Sequence, residues 1–158
     1  MRVAVLTISD AGARGDRSDR SGDAIAAWVG ERGYTLAARA LVPDDSVAIV
    51  RQLLTWCDRD SADLVLTTGG TGLSARDNTP EATRAVLERE ADGIAERRRI
   101  ACIDAFPRAA LSRGAAGSRN RTLIVNLPGS TGGVRDALAV LGPLLPHVVS
   151  QLRGGDHA

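Results

Sequence analysis

Short apolar runs divide the chain into predicted strands that alternate with predicted helices. The runs at 3–8 (VAVLTI), 63–68 (DLVLTT) and 122–127 (TLIVNL) are nearly unbroken and rich in β-branched residues, which is typical of strands buried on both faces. A further run at 34–42 (YTLAARALV) predicts another strand. Strands separated by helices favour an α/β fold with a mostly parallel sheet and right-handed crossovers.

Apolar residues recur at helical spacing between the strands of the first half. The first such segment has Ser21 as its predicted N-cap and Gly33 as its stop, and a second helix follows the strand at 34–42. The spacing therefore predicts two helices in this half of the chain. The apolar stripe of the second consists of Val47, Val50, Leu53, Leu54 and Cys57.

The middle of the chain predicts one helix that follows a glycine-rich loop. Thr79 can cap this helix, and Pro80 suits its first position because an N–H is not needed there. The helix is expected to run to about Gly93, where a second helical segment begins at 94–106.

The last third has one obscure region and one clear one. Residues 108–121 show little pattern, and we expect a short strand around 109–112 (AALS). Residues 130–152 predict two helices that are divided near Pro143 and Pro146.

Composition limits the partners that the chain can have. A length of 158 residues with 44% hydrophobic side chains predicts a single domain over 1–158, with a frayed tail from about residue 153. The net charge is +1, and all 20 basic residues are arginine. The basic run at 96–100 (ERRRI) has no interleaved aromatic residues and is read as a solvated helix face, so no nucleic-acid partner is expected.

Localisation and cysteine usage follow from similar arguments. No stretch approaches the roughly 20 apolar residues of a membrane span, and the opening MRVAVLTIS lacks the features of a signal peptide. A cytoplasmic protein with no membrane partner is therefore expected. Cys57 and Cys102 both lie in helical patterns and are interpreted as buried structural thiols.

The loops after the most clearly predicted strands are unusual. In an open parallel sheet these loops share one edge, where ligands bind beyond the carboxyl ends of the strands. The motif GGTG at 69–72 suits a cradle for phosphate or a polar heterocycle, because glycine lets a ligand approach the backbone. It has neither the Walker A pattern nor the dinucleotide fingerprint. A simple tight turn explains the glycines equally well when they are taken alone, and the second cluster, PGSTGG at 128–133, favours a ligand.

Two acids near this edge allow opposing interpretations. Asp77 can be a solvated turn residue that serves Thr79, or it can bind a metal beside the glycines. Asp44, Asp45 and Ser46 can each cap the following helix, which leaves a carboxylate free to hold a cation. Mg²⁺ binds through one or two carboxylates together with substrate phosphates, so the pattern suits nucleotidyl or phosphoryl transfer.

Several motifs in fixed order resemble the molybdopterin adenylyltransferase family of molybdenum cofactor biosynthesis, which includes the amino-terminal domain of gephyrin. They are TISD, VPDD, TTGGTGLSARDNTPEAT, LSRGAAG, LIVNLPGS and LPHVVSQLRG. The resemblance implies a three-layer α/β/α fold, a homotrimer, and Mg²⁺-dependent transfer of AMP from ATP to the phosphate of molybdopterin with release of pyrophosphate. It further implies that the product can pass to a molybdenum insertase.

The resemblance also assigns site residues. Asp44 and Asp77 match the family acids and would hold the metal, and Ser112 matches a serine of the LSR segment. Many relatives carry a basic-glycine pattern before the last strand, and here GSRNRT offers Arg119 and Arg121 for phosphate contact. The residues expected to bind the substrates are Ser9, Asp10, Gly69, Gly70, Thr71, Gly72, Asn126, Pro128, Gly129 and Ser130.

Two other functions compete with AMP transfer on this fold. The first is a non-catalytic molybdopterin-binding or trimeric scaffold protein, against which the presence of both acids argues. The second is a nucleotide-cleaving relative, which would hydrolyse a free nucleotide without a pterin.

Overall fold

A computed structural model describes residues 1–155 and contains one six-stranded sheet. The strands are β1 (Arg2–Ile8), β2 (Thr35–Val42), β3 (Leu64–Thr68), β4 (Arg89–Glu90), β5 (Ala116–Arg119) and β6 (Thr122–Leu127). Their order across the sheet is β2-β1-β3-β6-β5-β4. The four strands from β2 to β6 are parallel, and β5 and β4 extend the sheet antiparallel at one side. The predicted mostly parallel α/β sheet is confirmed.

Helices cover both faces of this sheet. They are α1 (Asp10–Ala13), α2 (Arg20–Glu31), α3 (Ser46–Asp58), α4 (Thr79–Val86), α5 (Asp92–Ile103), α6 (Thr131–Leu141) and α7 (Leu145–Leu152), with a 3₁₀ turn at Pro107–Leu111. Successive strand residues point to opposite faces. Val3 and Val5 therefore pack with α2, α6 and α7, whereas Ala4 and Leu6 pack with α3 and α4. The expected three-layer arrangement results.

The start of α2 differs from the prediction. Its N-cap is Asp19 and not Ser21, because Asp19 Oδ1 accepts the Gly22 N–H at 2.9 Å. The other carboxylate oxygen accepts the Thr7 hydroxyl at 2.8 Å and the Arg39 guanidinium at 2.7 Å. These contacts with β1 and β2 fix Asp19 at the cap, and they involve residues distant in sequence.

The helix after the glycine-rich loop is shorter than predicted and begins differently. Asn78 takes the cap position of α4 without a side-chain hydrogen bond, and Thr79 lies inside the helix. The helix ends at Val86 and not near Gly93, because the chain turns to an extended conformation and the Glu88 N–H bonds to the Ser118 carbonyl. Pairing with β5 therefore replaces the last predicted turns.

The predicted strand at 109–112 is wrong, because residues 109–111 belong to the 3₁₀ turn and Ser112 is its C-cap. The strand of this region is β5, which forms a hairpin with β6 through Asn120 in the left-handed conformation (φ +52°). In α3, Val47 is 63% exposed and leaves the predicted apolar stripe, while Cys57 is buried as expected. Cys102 is only partly buried.

The two helices predicted over 130–152 are confirmed as α6 and α7. The predicted tail begins at about residue 153. There Arg153 still donates to Asp60 Oδ1 at 2.7 Å, and residues 156–158 lie outside the described part. Within 1–155, no helix has the length and hydropathy needed to cross a bilayer.

Candidate functional site

The carboxyl ends of the four parallel strands bring the predicted loops to one edge of the sheet. Register pairs Ile8 with Val42 and Thr68 with Leu127, so the loops that follow these residues are neighbours. The Thr68 hydroxyl donates to the Pro128 carbonyl at 2.7 Å, which joins the loops after β3 and β6. We call residues 69–72 the glycine loop.

Two glycines of this loop are required by the fold itself. Gly69 has φ +98°, and a Cβ there would lie 2.2 Å from the Ile8 carbonyl oxygen. Gly70 has φ +64°, and its Cβ would lie 2.3 Å from Thr79 Oγ1 and 3.0 Å from Asp44 Oδ1. A side chain at either position meets both backbone strain and overlap. The tight-turn explanation thus accounts for Gly69 and Gly70, and it places Gly70 directly against an acid.

Asp44 is the carboxylate that capping leaves over. Asp45 Oδ1 accepts the Ala48 N–H at 2.8 Å and caps α3. Asp44 is 9% exposed, and its Oδ1 accepts the Asn78 N–H at 3.2 Å. Burial raises the pKa of Asp44, and repulsion from Asp77 and Asp10 adds to the rise. Its negative charge therefore lacks full compensation within the described residues.

Asp77 closes the loop that follows the glycines. Its Oδ2 accepts the Ser74 N–H at 2.8 Å, so the side chain serves Ser74 and not Thr79. A Cβ on Gly72 would lie 2.8 Å from the same oxygen. Thr79 Oγ1, by contrast, is buried and has no hydrogen-bond partner in the described chain. Leaving a buried hydroxyl unpaired costs roughly 1–3 kcal/mol.

Ser9 and Asp10 organise the loop after β1. Ser9 Oγ accepts the Gly12 N–H at 3.0 Å as the cap of α1. Asp10 Oδ1 accepts the Asp44 N–H at 2.9 Å, and both its oxygens accept from Arg76 at 2.8–3.0 Å. The Asp44 N–H and the Arg76 guanidinium lower the pKa of Asp10. Asp10 is thus compensated where Asp44 is not.

Arg113 holds the glycine loop in place, a role that the sequence analysis did not predict. Its Nε donates to the Gly72 carbonyl at 2.6 Å, and its Nη2 donates to the Asp77 carbonyl at 2.7 Å. Its own N–H donates to the Thr71 carbonyl at 2.9 Å, and its guanidinium pairs with Glu81. The one available signal was its position beside Ser112 in the LSR segment.

Asn126 lies beneath the site and makes structural bonds. Its Nδ2 donates to Thr67 Oγ1 and Thr83 Oγ1, each at 2.9 Å, and its Oδ1 accepts the Ala115 N–H at 3.0 Å. Both amide hydrogens are therefore used within the protein. Ser130 caps α6 by accepting the Gly133 N–H at 3.1 Å.

Ser112 is held by two arginines of α5. Its Oγ accepts from Arg98 Nη2 at 2.6 Å, and its carbonyl accepts from Arg99 Nη1 at 3.3 Å. Arg99 Nη1 also donates to the Gly114 carbonyl at 3.3 Å. Ser112 was a predicted site residue, whereas the basic run of α5 was predicted to be a solvated face. For Arg98, which is buried, that prediction is wrong.

Arg119 and Arg121 do not reach this edge. Arg119 Nε donates to Asp58 Oδ1 at 2.7 Å, and Arg121 pairs with Asp60 at 3.5 Å. Both flank the hairpin at the amino end of β6, because β5 runs antiparallel to it. The structure therefore separates these arginines from the other predicted site residues.

Two cavities adjoin the glycine loop and share Ser130 as a lining residue. The large cavity, of about 490 Å³, is mainly apolar and includes Thr71, Gly72, Arg98, Ser112 and Pro128. The polar cavity, of about 400 Å³, includes Thr7, Ser9, Asp10, Asp44, Gly69 and Gly129. Most of the predicted site residues line one cavity or the other. The exceptions are Asp77, Asn126, the two hairpin arginines and Gly70, which lies between Asp44 and Thr79.

The acids fit a cation only when a ligand supplies further oxygens. Across residues 1–155, no three His, Cys, Asp or Glu side chains converge as a complete metal site. The raised pKa of Asp44, caused by burial and by its acidic neighbours, indicates an edge that lacks positive charge. Thr79 Oγ1, which lies with Asp44 against Gly70, has no hydrogen-bond partner in the described chain. This donor set suits Mg²⁺, which commonly takes one or two carboxylates together with phosphates and water.

Comparisons with known proteins agree with this geometry. Residues 4–147 match the family described as "Probable molybdopterin binding domain". A molybdopterin adenylyltransferase of Helicobacter pylori strain J99 is 38% identical over 158 residues, which cover 98% of this chain and 89% of that protein. The molybdenum cofactor synthesis protein cinnamon of Drosophila melanogaster is 41% identical over 146 residues, or 92% of this chain, and the chain spans only 24% of its length.

A solved structure shows the same fold over nearly the whole chain. The molybdopterin biosynthesis enzyme MoaB of Thermus thermophilus superposes with a TM-score of 0.92 at 48% identity, covering 99% of each chain. The matched family spans the four parallel strands and the loops that form both cavities. The chain therefore belongs to the molybdopterin-binding family of molybdenum cofactor biosynthesis.

Proposed function

We propose that the protein is a molybdopterin adenylyltransferase, which transfers AMP from ATP to the phosphate of molybdopterin. The observation that carries the proposal is the pair of adjoining cavities on either side of the glycine loop, with Asp44 uncompensated at their edge. A reaction between two bound substrates needs two sites whose ligands can meet. The name of the Helicobacter pylori relative supports the same activity.

The two cavities differ in the chemistry that they favour. The large cavity has the apolar lining that suits a pterin ring, with polar groups from Ser112 and Arg98. The polar cavity presents Ser9, Asp10 and Asp44 at the ends of β1 and β2, and we assign it to ATP. Ser130 borders both, so the reacting phosphates would meet beside it.

The reaction needs alignment more than covalent participation by the protein. An oxygen of the molybdopterin phosphate attacks the α-phosphorus of ATP, a new P–O bond forms, and the bond to the leaving pyrophosphate breaks. Asp44 and Asp77 would hold Mg²⁺, which when bound neutralises the phosphate oxygens. The protein contributes a rigid loop: Arg113 fixes the carbonyls of Gly72 and Asp77, and the fold fixes Gly69 and Gly70.

Replacing Asp77 with Asn tests the metal role. Asp77→Asn keeps the acceptor for the Ser74 N–H and removes the charge, so we expect unchanged folding and molybdopterin binding. Adenylyl-molybdopterin and pyrophosphate should fall by about 100-fold or more, in line with the loss of electrostatic stabilisation at a phosphoryl centre. Asp16→Asn is the matched control, because Asp16 forms only an exposed ion pair with Arg14. Wild-type product formation by Asp77→Asn would remove Asp77 from the mechanism.

A non-catalytic molybdopterin-binding or scaffold protein is the second candidate. The solved relatives carry biosynthetic names of more than one kind, so family membership alone does not fix AMP transfer. The two functions differ in one assay: incubation with molybdopterin, ATP and Mg²⁺ yields adenylyl-molybdopterin only from an enzyme. If the wild-type protein binds molybdopterin but forms no adenylyl-molybdopterin, the scaffold function is favoured.

We further propose that the protein assembles as a homotrimer and passes its product to an insertase. Exposed apolar side chains on α5, on the 3₁₀ turn and between them support self-association, because such residues cost free energy when they remain in water. They are Ile100, Ile103, Phe106 and Leu111. Mass measurement in solution tests the trimer, and Ile100→Glu with Ile103→Glu, which lie outside both cavities, should yield monomers.

A further inference from the structure

Among residues 1–155, Arg98 is a buried cation without a carboxylate partner. It is 2% exposed, and its one hydrogen bond to the rest of the described chain runs from Nη2 to Ser112 Oγ. In residues 1–155 no acid lies within ion-pairing distance of its guanidinium. Burying an unpaired charge is costly, and proteins normally pair it. Burial and the neighbouring Arg99 accordingly lower the pKa of Arg98.

Other arginines of this protein show the usual solution. Arg2 bonds to Asp63 at 2.9 Å, and Arg39 bonds to Asp19 at 2.7 Å. Arg98 is more buried than either of them and has only a hydroxyl. The part of the chain that the structure describes therefore leaves the desolvated charge of Arg98 uncompensated.

The position of Arg98 identifies the missing partner as a ligand. Arg98 lines the large cavity together with Thr71, Gly72 and Ser112. Its Nη2 is directed to Ser112, while Nε and Nη1 have no acceptor in the part of the chain that the structure describes. The other charged lining residues, Arg108 and Asp136, are exposed and neither pairs with Arg98. An anion that enters the cavity could accept hydrogen bonds from Nε and Nη1 of Arg98.

Ser112 extends this site. Its Oγ accepts from Arg98 at 2.6 Å and from the Gly114 N–H at 3.5 Å, so its own hydrogen is free to donate elsewhere. Arg98 and Ser112 therefore form a pair of donors at one wall of the cavity. Two donors, one of them charged and desolvated, match a phosphate oxygen.

We propose that Arg98 binds a phosphate group in the large cavity and orients the Ser112 hydroxyl toward the same group. The inference rests on the proposed function for the identity of the ligand: there the group is the phosphate of molybdopterin, held for attack on ATP. The anion site itself does not depend on AMP transfer. Arg98 acts on the bound substrate, and Arg99 acts on the backbone of 112–114.

Inorganic phosphate tests the anion site in the protein without molybdopterin or ATP. Melting temperatures are compared in phosphate and in chloride at equal ionic strength, for wild type, Arg98→Met and the control Arg97→Met. Arg97 is exposed on the same helix and loses the same charge. We expect phosphate to stabilise wild type and Arg97→Met, and Arg98→Met to melt higher in chloride yet gain nothing from phosphate.

Molybdopterin binding tests the identity of the ligand. Arg98→Met should raise the Kd about 10- to 100-fold, as expected for the loss of a charged hydrogen bond, while Arg97→Met leaves it unchanged. If both responses of Arg98→Met match wild type, the proposal is wrong. If the melting temperatures respond to phosphate as expected but neither wild type nor any variant binds molybdopterin, the anion site is supported and the proposed function is wrong.

Two further results would overturn the anion site. A purely structural Arg98 predicts that Arg98→Met melts lower in chloride and retains the full response to phosphate. A partner chain's carboxylate over Arg98 predicts instead that Arg98→Met changes the solution mass and that wild type does not respond to phosphate. Arg98→Gln, which keeps a donor for Ser112 without the charge, supplies the same comparison if Arg98→Met does not fold.

Discussion

Gly70→Ala measures how tightly the glycine loop is built against the acid beneath it. At φ +64° any L-residue costs roughly 1–2 kcal/mol in the left-handed conformation. The added Cβ would also lie 2.3 Å from Thr79 Oγ1 and 3.0 Å from Asp44 Oδ1, and neither neighbour is at the end of a long flexible chain. Relief of such overlap costs about 1–3 kcal/mol.

The total penalty for Gly70→Ala is therefore about 2–5 kcal/mol. At about 2–4 °C per kcal/mol for a domain of this size, the melting temperature should fall by roughly 4–20 °C. AMP transfer should fall further than stability alone explains, because Asp44 and Thr79 must move away from Gly70. Calorimetry gives the first quantity, and product formation well below the melting temperature gives the second.

Two other glycines provide matched controls. Gly15 has φ +80° with nothing within 4 Å of a built Cβ, so Gly15→Ala isolates backbone strain of roughly 1–2 kcal/mol. Gly30 lies in α2 with open space around it, so Gly30→Ala should stabilise by about 0.5–1 kcal/mol. If Gly70→Ala costs no more than Gly15→Ala, the contact of Gly70 with Thr79 and Asp44 is not as the structure has it.

The remaining predictions concern the charges around this loop. Asp44→Asn should raise the melting temperature at neutral pH and abolish AMP transfer. Because burial raises the pKa of Asp44 in the folded state, ionisation of this carboxyl lowers the stability of the native protein. The gain in melting temperature from Asp44→Asn should therefore grow as pH rises through that pKa and vanish below the ordinary value of 3.8. Melting curves at several pH values measure this gain. Arg113→Met should lower stability by about 2–4 kcal/mol, because two charged hydrogen bonds to the carbonyls of Gly72 and Asp77 are lost; urea titration measures this, and an unchanged midpoint would show that the loop holds itself.

The central strands could be predicted because burial on both faces leaves a continuous apolar signal. β1, β3 and β6 carry that signal, and their parallel order places the predicted loops on one edge. β5 has no such signal: its sequence AGSR becomes a strand because Asn120 turns the chain back along β6. Local pattern cannot reveal an element that exists through its pairing.

Site residues could be predicted where the residue type and its position in the sequence determine the role. They could not be predicted where the role depends on contacts between distant parts of the chain. Asp44 was identified as a leftover acid because only one residue can cap α3. Arg113 and Arg98 were not predicted because the contacts that matter at the site are with carbonyls and a hydroxyl, which leave no charge pattern in the sequence. The prediction for Arg119 was wrong because the antiparallel hairpin places this residue beside the amino end of β6, opposite the carboxyl ends of the parallel strands.

Asn126 makes the floor of the site one cooperative unit. Its amide joins β6 to Thr67 of β3, to Thr83 of α4 and to the Ala115 N–H that leads into β5. If any one of these elements opened alone, a fully buried amide or its partner would lose a bond that water could not replace. α4, which follows Asp77, and β3, which precedes the glycine loop, are therefore expected to unfold together. A substrate that holds the loop would thereby stabilise the strands on both sides of β6 together with α4.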